Sequence, residues 1–257
     1  MLIVLAPAKT LNFEKQQLTR RRSTPAFLED SKILIDCLRR LSPNQLSKLM
    51  GIGGELAEAT HQQYAAWSPP FTPSNAKQAI LAFRGNAYVG LNADAFTAAD
   101  FDFAQQSLRI LSGLYGVLRP LDLIQPYRLE MATKLKSPRG KNLYEFWGTR
   151  IAEALMKELK RQKDPVLMNL ASNEYFKSVK PKQFDARIVT PNFQESHHGT
   201  HKSISAFAKK ARGLMASYII RNRLTDIEDV KSFDTEGYRF DAKLSSDGDW
   251  VFTRERA

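Results

Sequence analysis

Two short apolar runs constrain this fold more than any other feature. Leu2-Ile3-Val4-Leu5-Ala6 follows Met1 directly and stops at Pro7. Val166-Leu167-Met168-Asn169-Leu170 follows a lysine-rich stretch and stops at Ala171-Ser172-Asn173. Continuous apolar runs this short, bounded by turn-forming residues, are expected as strands buried in a sheet. The first run lacks a basic leader and is too short for the apolar region of a signal peptide, so it too is expected as a strand. No run reaches the ~18 apolar residues that a membrane span needs, so no membrane association is expected.

Helical patterns fill the space between these runs. Residues 26–41 place Phe27, Leu28, Ile33, Leu34, Leu38 and Leu41 at helical spacing. Ser42-Pro43-Asn44-Gln45 is a helix start, with Ser42 as N-cap, Pro43 at the first position and Gln45 closing a capping box. Further helices are expected from Thr72-Pro73 to Phe83, from 97–100 to Leu108, over 141–162 and over 206–223. Extended segments are expected at 108–112, 187–193 and 202–205, with a turn-rich connection at 113–120. A C-terminal hairpin is expected from 238–244 and 249–254 across Ser245-Ser246-Asp247-Gly248. The mixture predicts an α+β fold in one domain spanning 1–257, with no repeat and no linker. At this length roughly 75% of the unfolded chain's surface can be buried, so no disulfide or metal staple is needed. The single cysteine, Cys37, has no partner for a disulfide and reads as inert core, which fits a reducing cytoplasm.

Charge supplies the first functional direction. Thirty-eight lysines and arginines against 27 acidic residues give +11 at pH 7. A surface this basic attracts polyanions, nucleic acid foremost, with an anionic membrane surface or phosphorylated small molecules behind it; the other reading is a solvated basic surface with no specific partner.

Five segments carry candidate chemistry. In Leu46-Ser47-Lys48-Leu49-Met50-Gly51-Ile52-Gly53-Gly54-Glu55-Leu56-Ala57, a capped helix runs through glycines into a second helix. The segment, about 43–66 with its helices, resembles the helix-hairpin-helix module. In that module, N–H groups at the second helix's start face a DNA phosphate without reading sequence. Gly51, Gly53 and Gly54 would shape the turn, Ile52 would plug it into the core, and Lys48 would offset the repulsive Glu55. The other reading is an ordinary helical corner. Pro7-Ala8-Lys9-Thr10 puts an ammonium and a hydroxyl just past the first strand, where either an anion site or a simple loop fits. Residues 111–131 mix glycines, prolines and aromatics with Arg119, Asp122, Tyr127, Arg128 and Glu130. That composition suits a shaped polar cleft, or a bend held by a buried ion pair. Ser172, Tyr175, Lys177 and Lys180 follow the second apolar run, with Ser172 placed to cap a short helix. Lys209 and Arg212 share a face of the basic helix, which tracks phosphates or is merely solvated. The cluster His197, His198 and His201 reads as a polar surface loop, and no metal-ligand set or cofactor motif is expected.

Together these segments resemble the YaaA family of bacterial peroxide-stress proteins. The matching stretches are 5–11, 71–83, 111–131, 144–147, 169–180, 209–215 and 232–238, in order along nearly the whole chain. The resemblance implies a single-domain fold of its own with a helix-hairpin-helix element and a basic cleft for double-stranded DNA. It also implies resistance to hydrogen peroxide by limiting free iron and the damage iron does to DNA. Gly51-Ile52-Gly53-Gly54-Glu55 is rich in the glycines of the hairpin pattern but poor in its cations.

The expectation is therefore a monomeric cytoplasmic protein that binds duplex DNA with little sequence preference. The hairpin and a cleft bearing Lys9, Thr10, Arg128, Ser172, Lys177, Lys180, Lys209 and Arg212 would hold the phosphates. The alternative is an enzyme acting on a nucleotide or another phosphorylated small molecule, with Lys9 and Thr10 on phosphate and Glu130 or Tyr175 as acid–base groups.

Overall fold

In the computed structural model, which describes residues 1–16, 18–197 and 200–255, both apolar runs lie at the centre of one sheet. The chain begins with β1 (Leu2–Leu5) and a two-residue strand β2 (Thr10–Leu11). Three helices follow: α1 (Leu28–Leu38), α2 (Pro43–Met50) and α3 (Gly54–Ala66). Next come β3 (Lys77–Gln78), α4 (Ala79–Ala82), β4 (Phe83–Arg84), α5 (Asn86–Leu91) and α6 (Ala98–Ser107). The middle of the chain holds β5 (Leu108–Ser112), β6 (Gly116–Leu118), β7 (Leu123–Ile124), α7 (Leu143–Trp147) and α8 (Arg150–Leu159). The remainder is β8 (Val166–Leu170), α9 (Asn173–Phe176), β9 (Arg187–His197), β10 (Thr200–Lys202), α10 (Ser205–Asn222), β11 (Arg239–Asp241) and β12 (Asp249–Glu255).

The main sheet runs β11-β12-β9-β8-β1-β5-β6, with β10 paired to β9. Its five central strands are parallel, and β6, β10 and β11 join antiparallel. Every residue of β1 and β8 is buried, as strands covered on both faces require. Val4 pairs with both Arg109 and Asn169, which fixes the register on either side. The fold is α+β, built around one continuous apolar core.

Local signals survive folding where nothing overrides them. Ser42 and Gln45 form the expected capping box at the start of α2, and Thr97 with Asp100 forms another at α6. The C-terminal hairpin forms as β11 and β12. The helix expected over 26–41 is shorter, Leu28–Leu38.

Other segments depart from the sequence reading. Residues 72–83 are not one helix. Lys77 and Gln78 pair instead with Ile124 and Leu123. The Lys77 ammonium donates to the carbonyls of Asn12 (3.1 Å) and Glu14 (2.9 Å). The Gln78 amide donates to those of Thr19 and Arg21. These distant acceptors outweigh local helix propensity and leave a single turn at α4. Residues 141–162 break into α7 and α8 because Gly148, at φ +53°, ends the first helix. The connection at 113–120 contains strand β6, paired with β5. The extended segment expected at 202–205 covers only the end of β10, since α10 begins at Ser205. His197 and His201 lie on the paired strands β9 and β10 rather than in a loop; His198 lies outside the described residues. Cys37 is half-buried, and burial pushes its thiol up.

Candidate anion-binding cavity at the strand ends

The parallel strands β1 and β8 end side by side, and their connections diverge. From β1 the chain goes on to β5 on one flank; β8 returns on the other. Such a reversal leaves a crevice at the carboxyl ends of the strands. A cavity of about 760 Å³ lies there, bordered by Leu5 and Leu170. Lys9 and Thr10 leave β1 into it, and Ser172 and Tyr175 leave β8. The start of α5, the irregular segment 127–130 and the Lys209/Arg212 face of α10 complete the wall. Close helix packing holds α5 and α10 in place: Gly90 and Gly213 lie so near the opposite helix backbone that neither position has room for a Cβ.

Five cationic side chains and two carboxylates line this cavity. Glu130 pairs with Lys9 at 2.8 Å and lies 3.6 Å from Arg128. Arg84 pairs with Asp94 at 3.2 Å, and Glu174 accepts the N–H of Ala132. The Nε of Arg128 is buried with no hydrogen-bond partner. Arg212 is half-buried on α10; burial alone pulls its guanidinium below the usual arginine value, with no carboxylate among the described residues opposing it. An uncompensated cation in a concave site is a receptor for negative charge.

Aromatic groups stiffen the walls. The Tyr127 hydroxyl bonds that of Ser112 at 2.7 Å, and the Tyr88 hydroxyl donates to the Ala6 carbonyl at 3.1 Å. Burial pushes the phenol of Tyr175 well up, so it stays protonated at neutral pH. Tyr64 of α3 donates to the backbone carbonyl of Arg128, tying the α2–α3 pair to the cavity wall.

Of the residues singled out in the sequence, Lys9, Thr10, Arg128, Glu130, Ser172, Tyr175, Lys209 and Arg212 meet in this cavity. Lys177 and Lys180 do not. They line a separate depression with Tyr144 and Arg139, where the Lys177 ammonium lies 4.9 Å from the Tyr144 ring centre. The reason is local: α9 lasts four residues, and the 3₁₀ turn Lys177–Val179 redirects the chain. Ser172 holds the N-cap position of α9, but its side chain accepts no capping hydrogen bond. Arg84, Asn86 and Tyr88 also line the cavity without any sequence pattern that marks them.

Lys48, Gly51, Gly53 and Gly54 lie outside the cavity on the α2–α3 turn. Gly51 takes φ +63° and ends α2. The Ser47 hydroxyl donates to the Ile52 carbonyl at 2.5 Å, and Ala57 is buried as expected. Ile52 does not plug the core: it remains only half-buried, while Leu46 and Tyr64 carry the apolar contact. Among the described residues, no group of three or more His, Cys, Asp or Glu side chains could hold a metal ion. Nor is any helix among them long and apolar enough to cross a membrane.

Fold and cavity thus define an α+β protein with a cation-lined crevice at the carboxyl edge of a mixed sheet. The chain belongs to the family described as peroxide stress protein YaaA, whose model matches residues 1–244. It is 52% identical over its full length to the whole of a UPF0246 protein from Colwellia psychrerythraea. It is also 52% identical, over 256 residues and the full length of both chains, to a UPF0246 protein from Teredinibacter turnerae. Its role accordingly lies in the response to peroxide stress.

Proposed function

We propose that this protein binds duplex DNA with little sequence preference during peroxide stress, acting as a cytoplasmic monomer that shields DNA from iron-driven oxidation. The observation that carries the reading is the unused space at the α2–α3 turn. Gly53 and Gly54 take ordinary backbone angles, and a Cβ at either would meet nothing within 4 Å. The fold itself has no need of glycine at these two positions. A partner approaching the backbone does need it, and the free N–H groups at the start of α3 suit a phosphate. This is how a helix-hairpin-helix element would grip one strand. The exposed Lys9 and Lys209 at the cavity rim, with Lys48 on α2, extend the contact, and the net charge of +11 supplies long-range attraction.

The test is a fluorescence-anisotropy titration with duplex, single-stranded and junction DNA at two salt concentrations. Gly54→Glu adds a negative charge where it suits the helix dipole and where space is open, so the variant stays folded by circular dichroism. The expected result is salt-steep duplex binding, weakened both by Gly54→Glu and by Lys209→Ala. Binding that is absent, or flat with salt, refutes the reading.

The cavity favours a second reading, a site for a phosphorylated small molecule. Its acid–base candidates are constrained: Glu130 is engaged by Lys9 and Arg128, and Tyr175 is held protonated. The arrangement therefore suits binding better than proton transfer.

A further inference from the structure

A duplex lying across the surface reaches Lys9 and Lys209 at the rim, but not the interior. The cavity holds about 760 Å³, within the range of a small-molecule site and far too little for a double helix. Yet two cations with unmet capacity for an anion are inside. Arg128 keeps a buried, unpartnered Nε even with Glu130 3.6 Å from its guanidinium, and Arg212, half-buried in the same wall, forms no ion pair among the described residues. Tyr88, Tyr127 and Tyr175 line the walls with their hydroxyls already committed, leaving ring surface rather than polar groups for an occupant. Ser172 and Asn86 add neutral donors and acceptors. A small anion alone would leave most of this volume unfilled. A phosphate carrying a sugar and a base fits charge, size and wall chemistry together.

We propose that the cavity is a receptor for a single nucleotide unit, its phosphate on Arg212 and Arg128 and its base among the tyrosines. The unit comes either from solution as a free mononucleotide or from duplex DNA as a nucleotide turned out of the stack. Only the second source rests on the DNA-binding reading.

Two arms separate the sources. In the first, deoxyadenosine 5′-monophosphate is titrated calorimetrically against deoxyadenosine and inorganic phosphate. The monophosphate is expected to bind at least tenfold more tightly than either. In the second, a duplex with a central 2-aminopurine is added, and eversion is read as a rise in its fluorescence. Arg212→Met is expected to lose at least tenfold in whichever arm is positive. Ala8→Phe fills the cavity without changing charge and is expected to do the same. Melting curves establish that both variants fold. A positive first arm assigns the free nucleotide, and a positive second arm assigns the everted one. Duplex binding with both arms negative overturns the proposal and leaves the DNA reading standing. Mononucleotide binding without duplex binding upholds the proposal and removes the DNA reading. Equal affinity for inorganic phosphate, or indifference to both folded variants, overturns it.

Discussion

Gly213→Ala is expected to destabilise this protein, against the rule for helix interiors. An alanine in the middle of an ordinary exposed helix gains about 1 kcal/mol over glycine. At Gly213 of α10 the added Cβ would stand 1.7 Å from the Ala87 carbonyl oxygen and 2.7 Å from the Leu91 nitrogen. Both obstacles are backbone of α5, so no side-chain rotation relieves them. Bringing the first contact out to 3.0 Å separates the helices by about 1.3 Å, an overpacking of the kind that costs about 3 kcal/mol. The net loss is then about 2 kcal/mol, or a drop in Tm of about 4–8 °C for a chain this long. Guanidinium unfolding followed by circular dichroism measures it, with Gly54→Ala as control. At Gly54 the Cβ meets nothing within 4 Å, so the control is expected to be neutral or slightly stabilising. A Gly213→Ala variant as stable as the native chain would refute the close crossing of α5 and α10. Since both helices wall the cavity, the variant is also expected to weaken whatever the cavity binds.

Glu130→Gln leaves Lys9 and Arg128 without their counter-charge. Duplex binding should tighten, and its log–log salt slope should steepen by about one phosphate's worth; weaker binding would mean that Glu130 acts chiefly by positioning the cations. Asp100→Ala should cost about 1 kcal/mol at neutral pH through loss of the carboxylate half of the α6 capping box and of its pair with Arg223. Burial pushes the Asp100 carboxyl up, but the N–H and hydroxyl of Thr97 and the guanidinium of Arg223 at 2.7 Å outweigh it and hold it below its ordinary value of 3.8. With the folded value below the unfolded one, this part of the stability is complete above pH 3.8 and fades as the pH falls through the folded value. Unfolding curves of native and variant chains should therefore converge in acid, and a constant gap would sink the assignment.

What the sequence made legible was whatever neighbouring residues decide among themselves. The apolar runs at β1 and β8, the capping box at Ser42, the helix start at 97–100 and the C-terminal hairpin each depend on a few adjacent residues. Residues 72–83 failed because Lys77 and Gln78 answer to acceptors about sixty residues away, which no local pattern records. The site was half legible for the same reason. Lys9 and Arg212 each carried a sign of anion chemistry, yet only the sheet order brings them to one cavity. Lys177 and Lys180 carried the same sign, and a 3₁₀ turn sends them elsewhere. Arg84 and Asn86 had no sign at all: Arg84 borders the cavity because β4 pairs it with Thr10 of β2, and Asn86 because α5 packs on α10.

Arg212 also separates a structural from a functional reason for the cavity. A half-buried guanidinium with no facing carboxylate lowers stability, because its desolvation is not repaid within the chain. Replacing it with methionine keeps much of the side-chain volume and removes the charge, so Arg212→Met is expected to raise stability by about 1 kcal/mol. The same change should abolish anion binding in the cavity. If Arg212 instead served the fold, through contacts of its alkyl stem or an internal polar partner, the variant would melt lower than the native chain. Thermal melting in low-salt buffer free of phosphate decides between them, since a bound anion would itself stabilise the native arginine and mask the difference. A rise in Tm together with lost binding would show that the chain carries this charge for its ligand at the expense of its fold.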